Sequence, residues 1–160
     1  MTDWPEPVER VARVLREAPV ETRIEEFKKG TPTAEDAASA VGCRLEQIVK
    51  SLVFSSERGY VVALVPGDRR ADRDKVARAA GRRRVKVAGP DEVMRATGFV
   101  AGGVAPFPLP GIDTVLIDRH LLVHRVVWFG AGTHRHMASL APPDLVRIAR
   151  AREADLSEEP

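Results

Sequence analysis

Gln47–Gly67, QIVKSLVFSSERGYVVALVPG, contains two runs rich in Val, Leu, Phe and Tyr joined at Glu57–Gly59. β-Branched and aromatic residues fit a pleated surface, and a short glycine-containing connection between two such runs is a hairpin signal. The segment predicts two antiparallel strands, around which the rest of the chain has to pack.

Upstream, Val8, Val11, Ala12 and Leu15 recur at helical spacing after Pro5 and Pro7, which predicts an amphipathic first helix. PVETRIEEF (19–27) follows as a short strand. In TPTAEDAASAVG (31–42), Thr33 and Asp36 have the spacing of a capping box and Gly42 is placed to end the helix. Downstream, ADRDKVARAAG (71–81) predicts a helix and RVKVA (84–88) a strand. PDEVMRATG (90–98) is again helical, with Pro90 in the first position and Gly98 just past the end. DTVLID, RVVWFG and RHMASLA are strands, and PPDLVRIARA closes as a helix. Interleaved strands and helices with at least one hairpin imply a mixed α/β (α+β) fold, a curled mixed β-sheet or partial barrel surrounded by helices. One domain is expected over residues 1–152, followed by an acidic, disordered tail over 153–160, EADLSEEP.

The chain of 160 residues is 44% apolar and 30% charged, with no apolar run near the ~20 residues of a membrane span. The N-terminus, MTDWPEPVERV, lacks the apolar core of a secretory signal. Cys43 is the single cysteine, so neither an internal disulfide nor a cysteine metal cluster can form, and a cytoplasmic location is expected. Net charge is only +2, yet Arg69–Lys86 carries nine basic residues against two acidic ones. Arg82, Arg83, Arg84 and Lys86 are candidate phosphate contacts. The competing reading is a solvated helix face in which Asp74 and Arg78 pair, and charge alone leaves both open.

Thr97–Gly111, TGFVAGGVAPFPLPG, has four glycines and three prolines in fifteen residues. Gly102 and Gly103 would let backbone approach a ligand and offer N–H donors, with Pro106 and Pro108 stiffening the loop. A plain surface connection is the alternative. Lys50 interrupts the apolar run IVKSLVF. Either it points outward, or its ammonium projects into a cleft to meet an anion. His134 and His136 alternate and would share one face of a strand. A metal site is not expected, because His120, His124 and Cys43 stand at no recognisable ligand spacing from them. Ser51, Ser55, Ser56 and Ser139 lie in no nucleophile signature. Trp128 and Phe129 are expected in the core, and the GAG of Gly130–Gly132 lacks a dinucleotide fingerprint, so no cofactor is expected.

In order, TAEDAASAVG, IVKSLVF, VPGDRR, ATGFVAGGVAPF and GAGTHRHMASLAPPDLVRI resemble the YbaK/EbsC family, over about residues 20–150. These are the free-standing relatives of the editing domain inserted in bacterial prolyl-tRNA synthetases. Gly102–Pro106 matches the family's G-x-x-x-P, and Lys50 stands at its lysine position. The resemblance implies a YbaK-like editing-domain fold and a trans-editing aminoacyl-tRNA deacylase, which hydrolyses the ester of a mischarged tRNA. The expected substrate is tRNA for proline carrying a small amino acid. An aminoacyl ester is already activated, so a site need only orient the carbonyl, stabilise developing negative charge and admit water. In the family the glycine loop is taken to hold the aminoacyl group and the lysine to engage the 3′ end, with the terminal 2′-hydroxyl helping to position water in some members. The resemblance therefore gives Lys50, Gly102 and Gly103 the catalytic role. It places Thr33, Ser51, Val104, Ala105, Pro106, Gly130 and Gly132 around the substrate, and with a tRNA as substrate the basic run makes Arg82, Arg83, Arg84 and Lys86 its candidate contacts.

Such enzymes act as a second sieve, because one methylene in an apolar pocket is worth only about 1–3 kcal/mol. Members that act on cysteinyl-tRNA often carry an aromatic where Thr33 stands and a serine where Gly130 stands, so cysteine specificity is not transferred. Alanine, serine, threonine and small non-protein amino acids stay open. The implied partners are mischarged tRNA and prolyl-tRNA synthetase, with neither membrane nor DNA, and oligomeric state is left open. Two other functions compete: a non-catalytic module that binds tRNA or a synthetase, and a hydrolase for another small ester. Lys50 together with an intact G-x-x-x-P favours the deacylase.

Overall fold

The computed structural model describes residues 4–160. Along the chain run α1 (Glu6–Glu17), β1 (Arg23–Glu26), α2 (Ala34–Val41), β2 (Ile48–Ser56), β3 (Gly59–Pro66), α3 (Arg73–Ala80), β4 (Val85–Val87) and α4 (Pro90–Thr97). They are followed by β5 (Thr114–Asp118), β6 (Val127–Gly130), β7 (His136–Leu140), α5 (Pro142–Ala149) and β8 (Arg152–Ala154).

The hairpin forms as its sequence predicts: β2 and β3 are antiparallel, from Val49 opposite Pro66 to Ser56 opposite Gly59. Gly59 turns the chain at φ +84°, a left-handed conformation that glycine adopts at little cost. β3 shows why a strand buried on both faces is apolar throughout. Val62 and Leu64 face the core built with α1, α4 and α5, while Val61, Ala63 and Val65 face α3.

Eight strands make one mixed sheet in the order β1-β7-β6-β2-β3-β5-β8, with β4 attached to β2 outside this path. It stays open, because β1 and β8 are its two ends. β2 is the branch point. Opposite β3, its free edge is taken at one end by β6, parallel, through Ile48 and Val49. At the other end it is taken by β4, antiparallel, through Phe54, Ser55 and Ser56. Residues 50–53 in between have a strand partner only on the β3 side.

The helices cover the sheet around this fork. Thr33 caps α2 as expected, accepting the Asp36 N–H at 3.0 Å, and Gly42 ends the helix in the left-handed region. Ala37 and Ala38 of α2 pack on Ile48, Trp128 and Met137, whereas Val76, Ala77 and Ala80 of α3 pack with Phe54. Ile48, Lys50, Leu52 and Phe54 alternate onto the same face of β2. Lys50 therefore emerges between the parts of the sheet covered by α2 and α3. No helix of the described residues is long and apolar enough to cross a membrane.

The segment 153–160 is not the disordered tail that its acidity suggested. β8 pairs in parallel with β5, Leu156 is fully buried beside Phe54 and Val76, and Ser157 bridges Ala71. The physical reason is one apolar residue and one buried carboxylate. Asp118, at the end of β5, accepts the Leu156 N–H at 2.9 Å through Oδ2 and the His120 N–H at 2.9 Å through Oδ1. Burial by itself raises the Asp118 pKa, but the N–H groups of His120 and Leu156 and the His120 ring outweigh it, and the net shift is downward.

Asp118→Ala strands the Leu156 and His120 N–H groups, so it should cost about 2–3 kcal/mol in urea unfolding, with faster hydrogen exchange at the Leu156 amide. A carboxylate held below its unfolded pKa stabilises the fold above that unfolded value, and the stabilisation is lost as pH falls through the folded value. Asp118→Asn should accordingly flatten the fall of wild-type stability on the acid side, as read by unfolding midpoints across that range.

Candidate active-site cleft

A cleft of about 370 Å³ opens where β2 lacks a partner at its fork. Six residues expected at a site line it: Thr33, Lys50, Ser51, Gly102, Val104 and Gly130. They come from the start of α2, the middle of β2, the glycine loop and the end of β6. Thr31, Ala37, Thr133 and Met137 line it too and were missed. Thr31 and Thr133 flank segments whose sequence signals are a helix cap and glycines, and Met137 carries no signal beyond its place in a strand.

Lys50 is half-buried, and its Nζ donates to the Arg69 carbonyl at 2.5 Å. Burial lowers its pKa, Asp68 and Glu35 pull it back up, and Arg70 lowers it again, for a net value below that of ordinary lysine. Lys50 thus lines the cleft with its ammonium held on a backbone carbonyl. Thr33 presents no free hydroxyl, because its Oγ1 donates to Asp36 Oδ2 while accepting the Asp36 N–H. Ser51 differs: among the described residues its buried Oγ has no hydrogen-bond partner.

The two adjacent glycines divide their work. Gly102 has φ +84°, is exposed and lines the cleft, and a Cβ there would lie 2.7 Å from the exposed His134 ring. Gly103 is buried behind it and its N–H donates to Val100 at 2.9 Å, so it does not offer that donor to the cleft. A Cβ on Gly103 would press on Val100 at 3.0 Å and on Gly132 and Thr133 backbone at 3.3 Å. Ala105, Pro106 and Gly132 are likewise buried and absent from the cleft wall. Gly132, at φ +106°, lets α1 approach, since a Cβ would lie 2.8 Å from the Pro7 carbonyl oxygen. These four support the wall from behind.

The histidines do not form a facing pair. His134 precedes β7, in a turn whose carbonyl accepts the Thr31 N–H at 2.6 Å and the Thr31 hydroxyl at 3.1 Å. His136 begins β7 as a buried residue, with Nδ1 2.6 Å from Thr133 Oγ1 and its ring edge-on to Trp4. Burial lowers its pKa, with Glu26 opposing and Arg135 adding to the shift.

The basic segment lies at the far end of β2. Arg82 is tied inward, to Ser56 Oγ at 3.1 Å and the Ala80 carbonyl at 2.7 Å. Arg83, Arg84 and Lys86 are exposed along a groove of about 530 Å³ that also includes Arg73. Asp74 and Arg78 do not pair, although Glu6 and Arg10 on α1 do at the same i,i+4 spacing.

Backbone atoms cannot yield as a side chain can, so Gly132→Ala should cost about 3 kcal/mol or more in thermal or urea unfolding, and Gly102→Ala only about 1–2 kcal/mol.

The model of the aminoacyl-tRNA editing domain matches residues 28–148. The uncharacterized protein YwhH of Bacillus subtilis is 32% identical over 126 residues, covering 78% of this chain and 80% of that protein. A protein of Enterococcus faecalis named "Putative Cys-tRNA(Pro)/Cys-tRNA(Cys) deacylase EbsC" is 25% identical over 126 residues, 78% of this chain and 77% of that one. A solved structure described as "Crystal structure of a putative trans-editing enzyme for prolyl tRNA synthetase" superposes with a TM-score of 0.88 at 35% identity, covering 98% of this chain and 100% of that one. With its family-matched segment running from just after β1 into the last turn of α5 and enclosing every residue that lines the cleft, the chain belongs to the aminoacyl-tRNA editing-domain family.

Proposed function

We propose that the cleft at the β2 fork deacylates mischarged tRNA in trans, with tRNA for proline bearing a small amino acid as substrate. The observation that carries this reading is that Lys50 and the Gly102 turn line one small cleft. The cation draws the anionic 3′ end of the tRNA, and the bare Cα of Gly102 lets the ester come close to backbone. Water attacks the ester carbonyl carbon, the bond from that carbon to the ribose oxygen breaks, and the ribose oxygen leaves with a proton that originates from the water. The cleft's contribution is orientation and electrostatic stabilisation, since the ester is already activated.

Ala37, Val104 and Met137 give the cleft apolar wall, and Gly130 adds no side chain to it. That lining suits a short aliphatic group better than a charged one. Arg83, Arg84 and Lys86 are assigned to tRNA phosphates, prolyl-tRNA synthetase is the proposed partner, and the cytoplasm the proposed location. Arg82 is left out, because its guanidinium is already occupied within the protein.

A panel of mischarged tRNAs tests the assignment directly, and deacylation of none of them would end it. Lys50→Ala should lower kcat/KM at least about tenfold with an unchanged melting temperature, because the side chain supplies charge rather than core packing. Lys50→Arg should also be impaired, since a planar guanidinium does not replace a compact ammonium. Because the Lys50 pKa is lowered, its ammonium is lost as pH rises through a value below that of ordinary lysine, and activity should fall there while Lys50→Ala shows no such limb. Neutralising Arg83, Arg84 and Lys86 together should weaken tRNA binding and flatten its salt dependence by roughly 0.7–0.9 in log–log slope per lost phosphate contact.

A further inference from the structure

Consecutive residues of β2, from Ile48 to Leu52, line the cleft. Successive side chains of a strand point to opposite faces, so the opening is bounded by the edge of β2 and not by one of its faces. Along such an edge the main-chain N–H and carbonyl of every second residue point outward. Two bonds fix which residues these are. The Ile48 carbonyl accepts the Gly67 N–H at 2.8 Å on the β3 side, whereas the Val53 carbonyl accepts the Ala88 N–H at 2.9 Å on the opposite edge. Even-numbered residues of β2 therefore bond to β3, and odd-numbered ones face the fork.

Of these, Val49 is taken by β6, Ser55 by β4 and the Val53 carbonyl by Ala88, which leaves Ser51. The β6 ladder stops at Val49, the β4 ladder starts at Phe54, and no loop hydrogen bond reaches Ser51. Among the described residues its N–H and its carbonyl are thus both unpaired. Its hydroxyl is unpaired too but closed off from the surface, while the residue is partly exposed, so what the opening reaches is main chain or Cβ. A peptide strand docks on a run of free edge residues, which the two flanking ladders deny it. A single residue fits. In an antiparallel pair two opposed residues exchange both bonds, each N–H to the other's carbonyl. An aminoacyl ester carries the same two groups on one Cα, an amine that donates and a carbonyl that accepts. The Gly103 N–H, being bonded to Val100, is not there to hold that carbonyl.

We infer that the aminoacyl group pairs with Ser51 as a strand one residue long: the Ser51 N–H donates to the ester carbonyl, and the substrate amine donates to the Ser51 carbonyl. The inference rests on the deacylase reading and gives the Ser51 main chain a catalytic role in it. As water adds to the carbonyl carbon, negative charge collects on the oxygen that the Ser51 N–H already holds, and it is released when the bond to the ribose oxygen breaks. Directly opposed residues of such a pair carry their side chains on the same face. The side chain of an L-amino acid then lies beside the Ser51 Cβ, on the face where Val49 and Val53 join the core with Val104. Pairing through main chain is indifferent to the amino acid, and that apolar face sets the limit on its size.

Hydrogen exchange on the wild-type chain reads the pairing without catalysis. The probe is adenosine whose 3′ oxygen is replaced by an N–H bearing alanine, a stable amide in place of the ester. Saturation with it should slow exchange of the Ser51 amide at least about tenfold, and an unchanged rate would overturn the pairing. Replacing Ser51 by its α-hydroxy acid removes the N–H, as does Ser51→Pro, a residue that unpaired strand edges accept. On alanyl-tRNA both should lower kcat about 100-fold or more with a much smaller change in KM, and a kcat within about threefold of wild type would overturn the donor. Propionyl-tRNA lacks the amine, so its kcat/KM, relative to the spontaneous rate of each ester, should be about tenfold below that of alanyl-tRNA. Equal values would overturn the carbonyl contact. Should neither variant fold, the exchange rate and the propionyl comparison decide. A wild-type chain that deacylates no mischarged tRNA refutes the deacylase reading, while exchange with the amide probe still decides the pairing.

Discussion

Everything at the candidate site depends on one strand edge being shared by two partners that do not meet. β6 takes Ile48 and Val49, β4 takes Phe54 to Ser56, and the residues between them are left without a ladder on that side. In a sheet, unpaired backbone is costly unless another polar group or solvent reaches it. Here the opening is bounded by the glycine turn, the start of α2 and the end of β6, with no strand paired across it. A cleft placed within a sheet in this way has walls on ordered elements, which holds a reacting group more steadily than a site built on loops alone.

The same geometry accounts for a lysine in an otherwise apolar run. On a strand with one neighbour missing, a side chain can be half-buried and still reach water, so the ammonium survives with a lowered pKa and a carbonyl partner. The glycine pair obeys a related logic. Gly102 meets the cleft, while Gly103 sits behind it, where a Cβ would press on the Val100 side chain at 3.0 Å and on backbone at 3.3 Å. Two identical adjacent residues thus answer to different constraints, one on the open side of the turn and one on its packed side.

Local chemistry was legible in the sequence wherever the interactions are local. The hairpin at Glu57–Gly59, the Thr33 cap, the Pro90 start and Gly98 end of α4, and the stripe of Val8, Val11, Ala12 and Leu15 all follow from residues within a few positions of one another. Lys50 and the glycine loop stood out because each breaks a pattern. What escaped was long-range. No periodicity says that β2 accepts both β4 and β6, so Thr31, Thr133 and Met137 could not be gathered around the cleft. The motif resemblance marked Gly102, Gly103, Ala105, Pro106 and Gly132 alike, without separating wall from support. The His134–His136 alternation counts only inside a strand, and β7 begins at the second histidine. Charge concealed Leu156, whose burial depends on Asp118, 38 positions earlier in the chain.

The attachment of β8 bears on what its loss would expose. β5 carries Val115, Leu116 and Ile117, all buried, and one of its edges is closed by Arg152–Ala154. Detachment of that three-residue strand leaves an apolar strand edge uncovered, a state open to pairing with other chains.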